Sequence, residues 1–157
     1  MSESKSVLQD AIDEALSSVG FNRRGAQWLR ESPDVVQSVE LQKSQFGAQY
    51  YVNLGVWLKA LGRIGRIRDK DMHIRLRADA LLNPLELDAW VKVLDLDRSM
   101  ARSDRAAQVA SMIRRRVIPQ LETWQAAVAL RHALEHGDLR EAFVRAEARV
   151  ALAAIHD

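Results

Sequence analysis

From Gln49 to Leu58 the chain alternates residue by residue. Tyr50, Val52, Leu54, Val56 and Leu58 fall on one side, and Tyr51, Asn53, Gly55 and Trp57 on the other. Successive side chains of a strand point to opposite faces, so this period of two commits the segment to a strand with one apolar face and one polar-aromatic face. Its neighbours read the same way. Val35 to Lys43 alternates imperfectly, between a turn at Ser32-Pro33-Asp34 and another at Gln45 to Ala48 that contains Gly47. Phe21 to Arg24, Gly25-Ala26 and Gln27 to Glu31 read as a short hairpin, and His73 to Arg77 as a short strand with Ile74 and Leu76 facing in. Turns this short join antiparallel strands, because parallel pairs need long crossovers.

Outside this region the period changes. Val7, Leu8, Ala11, Ile12, Ala15, Leu16 and Val19 recur at three-to-four spacing and predict a helix over 6–19, with Ser6 and Gln9 as a capping box and Gly20 as its stop. From Pro84 the pattern is helical again: a short helix around Leu85 to Leu94 carries Trp90, and Ser103 caps a long stripe of Val109, Ile113, Val117, Leu121, Trp124 and Val128 that Gly137 ends. Pro119 lies inside that stripe, so a kink or break is expected near Arg116 to Ile118. Asp138 with Glu141 predicts a capping box for a last helix whose stripe is Leu139, Phe143, Ala146, Val150 and Ala154. Strands first and helices afterwards give the α+β class rather than alternating βαβ units. The expected architecture is an antiparallel sheet of four to five strands over about residues 21–77, after an N-terminal helix and followed by three to four helices, in a single domain spanning 1–157.

Composition excludes several classes of function. With 48% hydrophobic and 28% charged residues the chain is not a disordered one, and with no cysteine it has no disulfide, thiol nucleophile or cysteine-held zinc. Its N-terminus reads as an amphipathic segment without a signal peptide, and no apolar run is long enough for a bilayer, so a cytoplasmic protein without a membrane partner is expected. Net charge is only +2, but the basic residues cluster: Lys59, Arg63, Arg66, Arg68, Lys70, Arg75 and Arg77 stand against Asp69 and Asp71, and Arg114-Arg115-Arg116 forms a second run. Such clusters attract phosphates or acidic partners, although the triplet spreads over most of a helical turn and cannot be one compact patch.

One resemblance is carried by order and spacing. Gly20-Phe21-Asn22-Arg23-Arg24-Gly25, Trp28, Val35-Val36-Gln37, Leu41-Gln42-Lys43-Ser44, Tyr51-Val52-Asn53-Leu54-Gly55-Val56 and His73-Ile74-Arg75 follow one another as in a bacterial family that the chain resembles, domain of unknown function 4304. The resemblance implies a small bacterial α+β protein and brings no reaction, cofactor or catalytic residue. Members often carry Cys where this chain has Met72, so a cysteine-dependent role does not extend to it.

Two motifs resemble catalytic or binding signatures in spacing but not in context. His132-Ala133-Leu134-Glu135-His136 has the spacing of an inverted zinc-protease motif, yet Gly137 ends the helix at once and few residues remain to supply a third ligand. No metal is expected there. Leu61-Gly62-Arg63-Ile64-Gly65-Arg66-Ile67 resembles the Gly-x-x-Gly loop of KH domains, but that loop joins two helices whereas this one joins two strands. Asp69 and Asp71 sit among Arg68, Lys70 and Arg75, which points to ion pairs rather than paired catalytic acids. Trp90 and Trp124 lie on apolar stripes and read as core.

Strand parity assembles one further constellation. Glu40 and Gln42, Tyr51, Asn53 and Trp57, and His73, Arg75 and Arg77 share the face opposite Val39, Leu41, Val52, Leu54, Ile74 and Leu76. The expected site is therefore a ligand- or partner-binding surface of Gln42, Asn53, Trp57, His73, Arg75 and Arg77, with no catalytic residue, metal or cofactor. Its chemistry suits an acidic protein or a small anionic ligand. The expected function is a non-catalytic binding or interaction module of immunity or regulatory type. Nucleic-acid binding through the basic loop 59–77 is the alternative, and an uncharacterised hydrolase the second alternative.

Overall fold

The structure, a computed structural model, describes residues 5–63 and 65–156. Helix α1 (Lys5–Ser17) buries Val7, Leu8, Ala11, Ile12, Ala15 and Leu16, the stripe its period implies. It already includes Lys5, so Ser6 sits inside the first turn instead of capping it, and the residue ahead of Lys5 lies outside the described residues. Gly20, at φ +91°, closes the helix: its N–H donates to the Ser17 carbonyl and that of Phe21 to the Leu16 carbonyl. This left-handed stop is open to glycine at little steric cost.

Six strands follow as an antiparallel meander in chain order: β1 (Asn22–Arg24), β2 (Gln27–Glu31), β3 (Val35–Lys43), β4 (Tyr50–Leu58), β5 (Ile74–Arg77) and β6 (Phe143–Val144). The register places Val39 opposite Leu54 and Leu54 opposite Leu76, so the predicted apolar rows coincide across the central strands. Helices α2 (Pro84–Val93), α3 (Arg102–Met112), α4 (Ile118–Thr123), α5 (Ala127–Glu135) and α6 (Ala146–Ala153) complete the chain. Their buried residues join α1 and the apolar sheet face in one core, with Trp28, Trp90 and Trp124 all buried inside it. Burying an aliphatic side chain of this kind stabilises by roughly 1.5–3 kcal/mol. Polar ties fix the layers. Trp28 Nε1 donates to Asp13 Oδ1 at 3.0 Å, and Gln37, buried on the core side of β3, donates to the Leu121 carbonyl at 2.6 Å while accepting from Arg30.

The second half departs from the expected boundaries in three places. Helix α3 starts at Arg102 with Ala101 ahead of it, so Ser103 is not its cap. The single stripe running to Gly137 is divided. A π-helical turn, Ile113–Val117, precedes Pro119, which cannot donate to a carbonyl one turn back, and a second break at Trp124 to Ala126 separates α4 from α5. The last helix forms, but it starts at Ala146 instead of Asp138. Residues 138–142 are turns, Phe143 and Val144 pair with Arg75 and Ile74 as a sixth strand, and Phe143 and Val150, expected on the buried stripe, are exposed. The open edge of β5 offers backbone partners that the local capping signal cannot match.

Candidate functional site

The six residues expected to share the second face of the sheet do share it. Across the strands the rows run Gln42–Tyr51, Glu40–Asn53–Arg77, Ser38–Gly55–Arg75–Phe143 and Val36–Trp57. His73, one residue before β5, stacks on Trp57 with ring centroids 3.9 Å apart. The face is neither open nor covered by the C-terminal helices. The described residues of the β4–β5 connection, 59–63 and 65–73, cross it as a strap. Met72 packs over Gly55, and Asp69 comes within 3.4 Å of Arg75 Nε. Arg145, at the start of α6, holds the strap from outside through the carbonyls of Met72 and Lys70.

The strap separates the six residues into two groups. Trp57 and His73 line a depression of about 390 Å³ together with Arg66, Arg68, Arg145 and Glu147. Both rings are committed to the fold. Trp57 Nε1 donates to the Gly62 carbonyl at 2.9 Å, and His73 Nδ1 accepts the Leu58 N–H at 2.9 Å, which leaves the neutral ring with its proton on Nε2. Burial pushes the His73 pKa down, the Arg145 charge acts in the same direction, and Glu147 opposes both.

Gln42, Asn53, Arg75 and Arg77 line a second cavity of about 360 Å³, with Asp69 at its wall and Glu141 and Phe143 at its edge. Arg75 is occupied, by Asp69 on one side and by the Phe143 ring, 5.6 Å from its guanidinium carbon, on another. Burial raises the pKa of Asp69 against the pull of Arg75 and Arg77, and it raises that of Glu40, helped by the Asp69 charge and opposed by Arg75. Arg77 is different. Its guanidinium lies over the Tyr51 ring at 4.0 Å, its Nε is 3.5 Å from Asn53 Oδ1, and Asn53 Nδ2 donates to Gln42 Oε1 at 2.7 Å. Among the described residues no carboxylate pairs with it. The result is an exposed guanidinium held by a stack and an amide relay, with donors free to meet a carboxylate or phosphate.

The other sequence motifs stand apart from this face. Gly62 and Gly65 lie in the strap between two strands, with Ile64 outside the described residues. Arg68 pairs with Asp71 at 2.7 Å, as the ion-pair reading expects. His132 lies in the last turn of α5 and His136 at its C-cap, where Gly137 and Asp138 donate back to Leu134 and Ala133. Among the described residues no three His, Asp or Glu side chains are grouped to hold a metal ion, and no helix is long and apolar enough to cross a membrane. Gly55, Met72, Arg145 and Phe143 escaped the sequence reading of the site. Only Gly55 carried a local signal, since a glycine inside a strand marks a close approach of other chain.

A family model described as Domain of unknown function (DUF4304) matches residues 12–123. The match takes in the C-terminal part of α1, strands β1 to β5 and helices α2 to α4, and it ends before α5, β6 and α6. The chain matches no curated protein and no solved structure.

Proposed function

We propose that this chain, which belongs to the DUF4304 family, is a non-catalytic binding protein that recognises an acidic partner through Arg77, Asn53 and Gln42 on the second face of the sheet. It is read as a bacterial, cytoplasmic interaction module of immunity or regulatory type. One observation carries the reading: Arg77 is exposed and stacked on Tyr51, with no carboxylate within ion-pair distance among the described residues, on a face where the neighbouring cation Arg75 is already met by Asp69. A guanidinium fixed in advance loses less freedom on meeting a carboxylate, so the arrangement favours recognition rather than a solvated surface charge. Arg75 takes the lesser part of holding the strap, and His73 and Trp57 position the strands.

The test is a calorimetric titration with a short glutamate-rich peptide, inorganic phosphate and a single-stranded RNA homopolymer. Arg77→Ala is expected to weaken peptide binding by about tenfold or more, the loss of roughly one charge-assisted hydrogen bond, with the melting temperature unchanged. Arg77→Lys should restore only part of it, because a lysine lacks the planar fork. Peptide binding that is absent in the wild type, or equal in Arg77→Ala, would overturn the reading. Tight RNA binding that falls steeply with salt would move the function to nucleic acid, by way of Arg66, Arg68 and Lys70 on the strap.

A further inference from the structure

A second concave site lies away from the sheet face, between α2 and α3. Ala89, Trp90 and Val93 form one wall, and Ala107 and Met112 the other, around a groove of about 250 Å³. Gln108, Ser111 and Arg115 form its polar rim. Trp90 is 1% exposed, yet its indole N–H meets no acceptor among the described residues. An unpaired buried donor is costly, and buried indole N–H groups usually find a partner. The rim carries surplus positive charge. Arg115 and Arg116 both lean on one carboxylate, Glu86, at 3.6 and 2.8 Å, and Glu86 also caps the start of α2 through Asn83. One guanidinium charge beside the groove is therefore left without a counter-charge in that cluster. Gln108, on the same rim, is exposed and restrained by only a long contact, 3.8 Å from its Nε2 to Met100 Sδ.

We propose that this groove binds a small amphipathic monocarboxylate. Its apolar body lies on Trp90, Val93 and Met112, and its carboxylate accepts from the Trp90 indole N–H and faces Arg115. A cation is disfavoured by the arginines, and a purely apolar ligand would leave the indole donor unmet. The volume lies below the range of roughly 300–1,000 Å³ usual for larger ligands, which suits a medium-chain or single-ring acid. The site shares no residue with the Arg77 face, so neither proposal depends on the other.

Sodium octanoate and its neutral counterpart 1-octanol are the probes. The four tryptophans give separate indole N–H signals in a nitrogen–proton correlation spectrum, and Trp90→Phe identifies the relevant one. Octanoate is expected to move the Trp90 signal in a saturable way, with octanol at least about tenfold weaker, a difference of one charge-assisted interaction. Arg115→Gln should remove that preference for the acid. Ala107→Leu, which fills the groove from an exposed helix position, should abolish the shift, and Ala89→Leu does the same from the opposite wall if the first variant folds poorly. A Trp90 signal unmoved by octanoate, equal binding of octanol, or a shift that persists in a folded groove-filled variant would each overturn the proposal.

Discussion

Gly55 shows how a single residue decides which faces of a sheet can be covered. A Cβ built there would stand 2.6 Å from Ser38 Oγ and 2.7 Å from Met72 Cγ, closer than packed atoms allow. The strap therefore lies on the sheet only because β4 is bare at this point. Gly55→Ala is expected to destabilise the fold by about 1–3 kcal/mol, the usual cost of overpacking a tight site. Urea denaturation measures it, and Met72→Ala in the same chain should recover part of the loss, since the two side chains compete for one space. Equal stability of Gly55→Ala and the wild type would mean that the strap does not seat on Gly55. At this scale the sequence was informative where burial followed parity. Leu54 and Gln42 took their predicted sides, one buried and one exposed. It was silent on Met72, whose buried position depends on where a loop travels rather than on any local period.

Elements were readable in proportion to how local their causes are. Strand β4 and helix α1 each carry one clean apolar face and were placed nearly to the residue. Strand β3 alternates imperfectly because Val36 and Ser38 are buried on the second face while Val35 and Val39 are buried in the core, so both faces select against exposure. Strand β6 has two residues and exists only because the β5 edge is there to pair with, a contact that no local signal announces. Arg105 is a comparable case within the helices. A charged residue near the start of α3 reads as solvated, yet it is fully buried and donates to the carbonyls of Val93, Asp95 and Arg98, tying the end of α2 and the turn after it to α3. Arg105→Met, which keeps the length and removes the donors, is expected to cost about 2–4 kcal/mol through the orphaned buried carbonyls. Thermal and chemical denaturation against a Lys92→Met control, an exposed basic residue, should show the difference, and similar small losses in both variants would mean that water replaces the guanidinium.

For the whole molecule, the strapped face and the turn that follows β5 couple stability to pH through groups whose shifts have opposite signs. Glu40, Asp69 and Asp79 have pKa values raised by burial above their ordinary values of 4.5, 3.8 and 3.8. The folded state holds their protons longer than the unfolded chain, so their contribution is greatest below those ordinary values and is lost as pH rises through the raised ones. His73 acts the other way. Its pKa is lowered from 6.5 by burial against Trp57, with Arg145 adding to the effect and Glu147 opposing it. As pH falls below 6.5 the unfolded chain takes up the imidazole proton first, so stability declines until the folded-state pKa is passed. Protonating Nδ1 would also break its acceptor bond to the Leu58 N–H, which closes the strap against the end of β4. Replacing His73 with glutamine keeps a side-chain carbonyl able to accept while removing the titration. The wild type is therefore expected to lose stability between about pH 7 and about pH 5.5. His73→Gln should be flat over that interval or gain stability toward acid, because the raised carboxyls Glu40, Asp69 and Asp79 favour the protonated side, while Glu86, whose pKa the Arg116 hydrogen bond lowers from 4.5, acts against them mainly below the interval. Urea midpoints at the two pH values read the difference directly. A wild type and variant with the same slope would show that His73 is not held neutral by the fold, and the strap would then have no part in the pH response.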